Sequence, residues 1–230
     1  ICWSLVGSEM CIRDRCLAMK LESSKIETAL QIGLRSIGGG AGEIGHEIQV
    51  HDAVTSTNDV VSDLALRGAN HGLAVFAEHQ TAGRGRKGNV WEATRGQNLT
   101  FSVLLRPDFE MTKWTRLAHT SALAVVWAIE PWLEGLKVEV KWPNDVYVDS
   151  RKVCGILVES KTTSSGSFAI LGIGLNVNTI AEDFSAELRH TAVSLRTLCG
   201  GREQDRNQLA GALFAELNRA YAKTADDFPN

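Results

Sequence analysis

Four β-rich runs follow one another closely in the second half of the chain, and their spacing constrains the fold more than any other feature. Short turns rich in Pro, Asn, Asp, Ser and Gly separate the runs, which leaves no room for the helical crossover that parallel neighbours need. We therefore expect antiparallel hairpins. The four runs cover residues 138–141, 146–148, 152–159 and 168–173.

Helical patterns lie on both sides of this strand-rich centre. Apolar residues recur at helical spacing near both ends of the chain and before the first hairpin. The combination predicts an α+β fold, a mixed β-sheet flanked by helices, and no Rossmann fingerprint points to a doubly wound parallel sheet. The predicted helices cover residues 21–35, 111–133 and 207–222, with another beginning near residues 55–58, and the further predicted strands cover residues 48–51, 73–78 and 99–105.

Composition and charge exclude several classes of protein. The formal net charge of -3 argues against a chain whose main role is to hold a nucleic-acid backbone. No stretch approaches the ~20 apolar residues of a membrane span, so we expect no membrane association. Three of the five cysteines lie within residues 1–16, in an odd total with neither disulfide nor zinc spacing. A reducing, cytoplasmic location is the expectation.

The N-terminal part of the chain is expected to lie outside the folded domain. Residues 1–18 resemble the translation of a sequencing adapter, and we interpret them as a non-native segment. Residues 19–47 combine a weak helical pattern with a glycine-rich run, which is the composition of a leader and linker. We therefore place the start of the domain at residue 48 and extend it to residue 230.

A basic glycine-rich segment, Gly83-Arg84-Gly85-Arg86-Lys87-Gly88, is the strongest local signal for chemistry. Its glycines let the backbone approach a ligand, and its cations can bind phosphate or carboxylate oxygens. It is not a P-loop, because the lysine is not followed by Ser or Thr. A solvated basic turn, an RNA-contacting loop and an anion-binding loop all fit the segment by itself. Gln80 before it and Trp91 after it add amide recognition and an aromatic surface.

Two further motifs suggest ligand contacts. Lys141 ends a predicted strand, and the Trp-Pro turn after it would hold its ammonium group against a site, although Pro-Asn-Asp is also ordinary turn chemistry. Glycines 155, 172 and 174 lie inside predicted strands, where they indicate either close approach of a ligand or a bulge. Asn176 would read an adenine edge or cap a turn.

Together these segments resemble the biotin protein ligase family in content, order and spacing. The similarity covers residues 48–221, essentially the catalytic domain of that family. Members have a class II synthetase-like fold, the biotin-lipoate ligase catalytic domain, and end in a small β-barrel module that we expect to be absent or truncated here. The matching segments are Ser56-Thr57-Asn58, residues 80–88 with GRGRKG, KWPND at 141–145, KVCGILVE at 152–159 and GIGLNVN at 172–178.

The resemblance implies an ATP-dependent ligase. Biotin would be activated as biotinyl-5'-AMP and then transferred to a specific lysine of the biotin carboxyl carrier domain of a biotin-dependent carboxylase. ATP and Mg²⁺ would take part, with the metal held by phosphates rather than by the protein. No helix-turn-helix pattern lies between residues 19 and 48, so the resemblance is to the monofunctional type and predicts no DNA binding. A homodimer is left open.

The resemblance also assigns site residues. Charge stabilisation at the α-phosphate falls to Lys141, Arg84 and Arg86, and Asp145 is a candidate general base. The loop from Arg84 to Trp91 is expected to be mobile without ligand and to order on biotin. The implied biotin-binding residues are Ser56, Thr57, Asn58, Gln80, Gly83, Arg84, Gly85, Arg86, Lys141 and Gly155, and the implied ATP or adenylate contacts are Arg84, Arg86, Trp91, Lys141 and Asn176.

Three other interpretations stay open from the sequence. A lipoate or octanoate ligase or transferase shares the fold, although we expect it to carry different loop motifs. A non-enzymatic nucleic-acid-binding domain would use the basic glycine loop, but the net negative charge opposes it. A degenerate, purely structural fragment is the third.

Overall fold

The computed structural model describes residues 20–38, 42–133, 135–164 and 166–224. Within these residues seven strands form one sheet, in the order β1-β2-β3-β7-β6-β5-β4. The first two strands pair in parallel, and all other neighbours are antiparallel, which confirms the predicted mixed sheet and hairpins. The strands are β1 (Glu47–His51), β2 (Leu73–Ala77), β3 (Leu99–Leu105), β4 (Val138–Lys141), β5 (Asp145–Val148), β6 (Arg151–Thr163) and β7 (Gly166–Leu175).

The helices lie close to the predicted positions. The predicted helix over residues 111–133 is shorter than expected, because short 3₁₀ turns flank it and Pro131 lacks the N–H that a continuing α-helix would need. The α-helices are α1 (Ser23–Ser36), α2 (Thr57–Leu66), α3 (Arg116–Ile129), α4 (Leu195–Leu198) and α5 (Arg206–Ala222).

The main hydrophobic core lies between one face of the sheet and helices α1, α3 and α5. Strand alternation sends Phe76 of β2 and Phe101 of β3 toward this face, where their ring centroids lie 4.8 Å apart. Phe214 of α5 closes the cluster, with its ring centroid 5.5 Å from that of Phe76. All three side chains are buried, so this contact fixes α5 across the middle of the sheet.

Helix α1 belongs to this core, and the predicted boundary at residue 48 is therefore wrong. Ile26, Leu30 and Leu34 repeat on one face of α1, and each is at most 4% exposed. The helix packs so closely on α5 that a side chain at Gly211 would collide with Ala29. Residues 23–36 are thus part of the domain rather than a leader. Residues 1–18, interpreted above as non-native, lie outside the described residues.

A buried ion pair ties the N-terminal segment to the sheet. Arg206, at the start of α5, donates to Glu78 at 2.6 and 3.2 Å, and the side chains are 1% and 5% exposed. The backbone N–H of Leu21 donates to the same carboxylate at 2.8 Å. Glu78 directly follows β2, so this contact joins α5, the chain before α1 and the end of β2.

The opposite face of the sheet is covered differently, and this leaves room for a site. Helix α2 packs over one end of β2, β3 and β7, where Val61 and Ala65 meet Val75, Leu104 and Ile170. Beyond the N-terminus of α2, the same face carries Thr100, Ser102 and several glycines instead of large apolar side chains. The sheet is open at that point because its side chains are small.

Candidate functional site

A cavity lies on this open part of the sheet. Its floor is the backbone of β3, β6 and β7. Gly155 of β6 and Thr100 of β3 both pair with Gly174 of β7, and Ser102 pairs with Gly172. The floor is therefore built from backbone and short polar groups.

The glycines of the floor are required by side chains that lie directly on them. A Cβ atom at Gly172 would lie 2.5 Å from Oδ1 of Asn58, and one at Gly174 would collide with the indole ring of Trp91. At Gly155 a Cβ atom would lie 3.0 Å from the same ring. The groups that approach these glycines closely are the side chains of Asn58 and Trp91, and the predicted approach of a ligand stays a prediction.

A chain of hydrogen bonds forms one end of the cavity, at the start of α2. The backbone N–H and the hydroxyl of Thr57 donate to Oε1 of Gln80 at 2.7 and 3.0 Å. The Thr57 hydroxyl also lies 2.7 Å from that of Ser102, which donates to Oδ1 of Asn58 at 2.5 Å. Gln80 thus caps the helix from outside, and its amide NH₂ group is the end left to meet a ligand.

The basic loop folds over the cavity through its own backbone. The N–H of Gly85 donates to Asn89 at 2.7 Å, and that of Trp91 donates to Gly83 at 3.0 Å. Gly83 does not line the cavity, in contrast to the prediction. It is needed because a Cβ atom there would lie 2.5 Å from the carbonyl oxygen of Trp91. Gly83 closes the loop and so places Trp91 on the floor.

Three cationic side chains line the cavity, each with a partner. Arg84 donates to Asp59 and to Glu159, at 2.9 and 3.1 Å. Arg86 donates to Oδ1 of Asn144 at 2.9 Å. Lys152 lies 2.8 Å from Asp145, with its Nζ 5.7 Å from the centre of the Trp91 ring.

The surroundings of Arg84 keep it charged. Burial of the guanidinium acts against the charge, but the hydrogen bonds to Asp59 and Glu159 outweigh that effect and raise the pKa of Arg84. The group therefore carries its positive charge at neutral pH.

Lys141 is not at the cavity, which corrects the prediction that placed it there. It ends β4, the edge strand, where it is exposed, and its Nζ lies 4.6 Å from the centre of the Tyr147 ring. Lys152 supplies the lysine of the site instead. The pairing of β5 with β6 skips Val153, and this bulge turns Lys152 to the same side as Gly155.

Asn176 does not line this cavity either, and its predicted contact with a nucleotide stays a prediction. It follows β7, is 3% exposed, and its backbone bonds to Val153 and Leu195. The other predicted site residues do line the cavity together: Ser56, Thr57, Asn58, Gln80, Arg84, Gly85, Arg86, Trp91 and Gly155. The sequence reasoning missed the roles of Asn144 and Lys152, although both lie inside the motifs that it selected.

Neither a metal cluster nor a membrane helix is found in the described part of the chain. Among those residues, no three His, Cys, Asp or Glu side chains lie close enough together to hold a metal ion. No helix there is long and apolar enough to span a bilayer.

Comparison with known proteins connects this cavity to a family. The model of the biotin/lipoate A/B protein ligase family matches residues 50–176, a range that includes all of the residues placed at the cavity above. The bifunctional ligase/repressor BirA of Bacillus subtilis is 38% identical over 158 residues, covering 68% of this chain and 48% of BirA. The biotin--[acetyl-CoA-carboxylase] ligase of Mycobacterium tuberculosis is 37% identical over 173 residues, covering 72% of this chain and 62% of that ligase.

A solved structure agrees with the sequence comparisons. The biotin protein ligase of Aquifex aeolicus in complex with biotin and ATP superimposes with a TM-score of 0.67 at 30% identity, covering 79% of this chain and 72% of that one. The chain spans about half the length of the Bacillus relative that it matches. The family model, these relatives and the shared fold together establish that the chain belongs to the biotin/lipoate A/B protein ligase family.

Proposed function

We propose that this protein is an ATP-dependent biotin ligase that forms biotinyl-5'-AMP and transfers the biotinyl group to a lysine of a biotin carboxyl carrier domain. Solved structures of relatives support the binding of biotin and of ATP. The Aquifex protein is in complex with biotin and ATP, and the Leishmania major biotin protein ligase, 26% identical, is in complex with biotinyl-5-AMP.

The observation that carries the proposal is the hydrogen-bonded end of the cavity. The ureido ring of biotin presents two N–H donors and one carbonyl acceptor. Thr57, Asn58 and Gln80 bring hydroxyl and amide groups to this end, where Ser102 orients Thr57 and Asn58, and Thr57 orients Gln80. The dithiolane ring of a lipoyl group has neither N–H nor carbonyl, so it would offer no acceptor to the Gln80 NH₂ group, the end of this network that is left for a ligand. The cavity therefore favours biotin over lipoate.

The cations suit the activation step. The carboxylate of biotin must approach the α-phosphate of ATP, its oxygen forms the new P–O bond, and pyrophosphate leaves. Two anions meet in this step, so positive groups fixed in place lower its barrier. Lys152 and Arg86 are in position for this role, held by Asp145 and Asn144. Asp145 is thereby engaged as an orienting partner, which favours that role over the general base considered above.

Trp91 would protect the product. Its indole lies on Gly155 and Gly174 and covers the floor of the cavity. A mixed anhydride hydrolyses in water, so a ring that excludes water from it preserves the intermediate until the acceptor lysine arrives. The amine of that lysine then attacks the acyl carbon, and AMP leaves.

Magnesium would enter with the nucleotide. The acidic side chains near the cavity are paired with Arg84 and Lys152, so this donor set fits a metal ion carried mainly by phosphate oxygens. When bound, Mg²⁺ would neutralise phosphate charge.

The nucleic-acid-binding alternative is disfavoured because the loop arginine Arg84 is already paired with two carboxylates.

The acceptor and the location are part of the same proposal. A carrier domain of a biotin-dependent carboxylase is the expected acceptor, and the cytoplasm is the expected compartment, since Cys154 and Cys199 are free thiols. A homodimer stays a prediction.

Transfer is tested by incubating the protein with a carrier domain, ATP, Mg²⁺ and biotin, and measuring the carrier by mass spectrometry. We expect a biotin-sized mass gain on one lysine, and no gain when that lysine is replaced by arginine. A gain with lipoate in place of biotin, and none with biotin, would contradict the proposal and support the lipoate ligase alternative.

A further inference from the structure

The carboxylate of Glu159 joins the basic loop to the amide network. Its Oε2 atom accepts from Nδ2 of Asn58 at 2.5 Å and from a guanidinium nitrogen of Arg84 at 3.1 Å. Asn58 lies over Gly172 on the cavity floor, and Arg84 lies in the loop that covers the cavity. One oxygen atom of a β6 side chain therefore contacts both the hydrogen-bonded end of the cavity and the loop that covers it.

Asp59 provides a second anchor for the same arginine. It occupies the first turn of α2, and its carboxylate lies 2.8 Å from Arg84. The guanidinium thus bridges α2 and β6, two elements that are fixed on the sheet. We call the three side chains Asp59, Arg84 and Glu159 the strap.

The strap distinguishes the two arginines of the loop. Arg84 has both of its terminal nitrogens bonded to carboxylates, so its charge is already neutralised locally. Arg86 bonds to the neutral amide of Asn144, and its charge is left for a ligand. A guanidinium between two carboxylates is a weak ligand for phosphate, because an incoming anion would have to displace them.

We propose that Asp59 and Glu159 are positioning residues that act through Arg84 to hold the base of the loop closed over the cavity before any ligand binds. Glu159 has the additional task of orienting the Asn58 amide. The strap alters the expectation of a loop that is mobile along its whole length: the base at Arg84 is anchored, and ligand-dependent ordering is confined to the tip around Lys87. Its effect on biotin affinity rests on the function proposed above, whereas its effect on the loop does not.

The strap is tested first without ligand, by the rate at which trypsin cleaves after Arg86, a site that every variant keeps. The variants are Asp59→Asn and Glu159→Gln, which remove one charge each and keep the shape. These ion pairs are partly exposed, so we expect cleavage to become about threefold to tenfold faster in each variant. The control is Glu139→Gln, which removes an exposed carboxylate 2.5 Å from Lys137 on the edge strand and should leave the rate unchanged.

A double-mutant cycle shows whether the two carboxylates act through the arginine. In an Arg84→Met background, Asp59→Asn and Glu159→Gln should add nothing to the cleavage rate. Cleavage rates equal to wild type in both single variants, or full additivity with Arg84→Met, would overturn the inference. Circular dichroism melts like that of wild type show that each variant is folded.

Biotin binding separates this inference from the proposed function. By calorimetry, Asp59→Asn and Glu159→Gln should weaken biotin binding by a factor similar to the loop effect, about threefold to tenfold. Unchanged affinity in variants whose loop is cleaved faster would overturn the positioning role. If the wild-type protein binds no biotin, the proposed function is contradicted. If the loop is nevertheless cleaved faster in both variants, the strap is still supported.

Discussion

Replacing Lys152 by alanine is expected to slow formation of the adenylate about 10²- to 10³-fold, the loss typical of removing one fixed group that stabilises transition-state charge. Lys152 is held by Asp145 at 2.8 Å and lies beside Trp91 and Gly155 at the cavity. The lost ammonium would face the point where carboxylate and phosphate meet. The measurement is single-turnover formation of the adenylate at saturating biotin and ATP.

Lys141 provides the matched control. It is also a lysine of the sheet, but it lies on the exposed edge strand over Tyr147. Lys141→Ala should keep adenylate formation within about twofold of wild type, as expected for a surface change. If Lys141→Ala were the slower variant, the original sequence interpretation would be right and the assignment of Lys152 wrong.

Replacing Glu78 by alanine should destabilise the domain by about 3–5 kcal/mol, because it removes the buried carboxylate with which the guanidinium of Arg206 pairs. The backbone N–H of Leu21 loses its acceptor in the same variant. Chemical denaturation followed by circular dichroism gives the free energy of unfolding. The measurement also tests whether the chain before α1 is part of the domain.

An exposed ion pair sets the scale for this effect. Asp52 pairs with Arg95, and the two side chains are 67% and 52% exposed. Asp52→Ala should cost less than about 1 kcal/mol, since water replaces the lost partner. Equal and small losses in Glu78→Ala and Asp52→Ala would show that the buried pair does not hold the domain together.

The hairpins could be predicted from the sequence because their signals are local. Each turn is encoded by a few residues, such as Pro143 and Asn144, directly between two β-rich runs. The length of the connection then excludes parallel pairing. Most of the sheet follows from such short-range constraints.

The domain boundary could not be predicted in this way. The stripe of Ile26, Leu30 and Leu34 is visible in the sequence, but its partner α5 begins about 170 residues later. A glycine-rich run after α1 has the composition of a linker, whereas packing across the sheet decides where α1 lies. Long-range burial of this kind has no local signature.

The lysine of the site was missed for a similar reason. Strict alternation along β6 would put Lys152 and Gly155 on opposite faces of the sheet. The bulge at Val153 places Lys152 and Gly155 together at the cavity. The residue types near Val153 do not predict a bulge. Lys141, by contrast, was predicted at the site because it belongs to the KWPND motif. In the structure that motif places Asn144 and Asp145 beside Arg86 and Lys152.

The exchange of labelled pyrophosphate into ATP tests the central claim most directly, because it reports formation of an acyl-adenylate without a carrier domain. With Mg²⁺ and ATP present, we predict exchange that depends on biotin, that is lost in Lys152→Ala and that is absent with lipoate. Exchange supported by lipoate and not by biotin, or exchange that needs neither acid, would contradict the account.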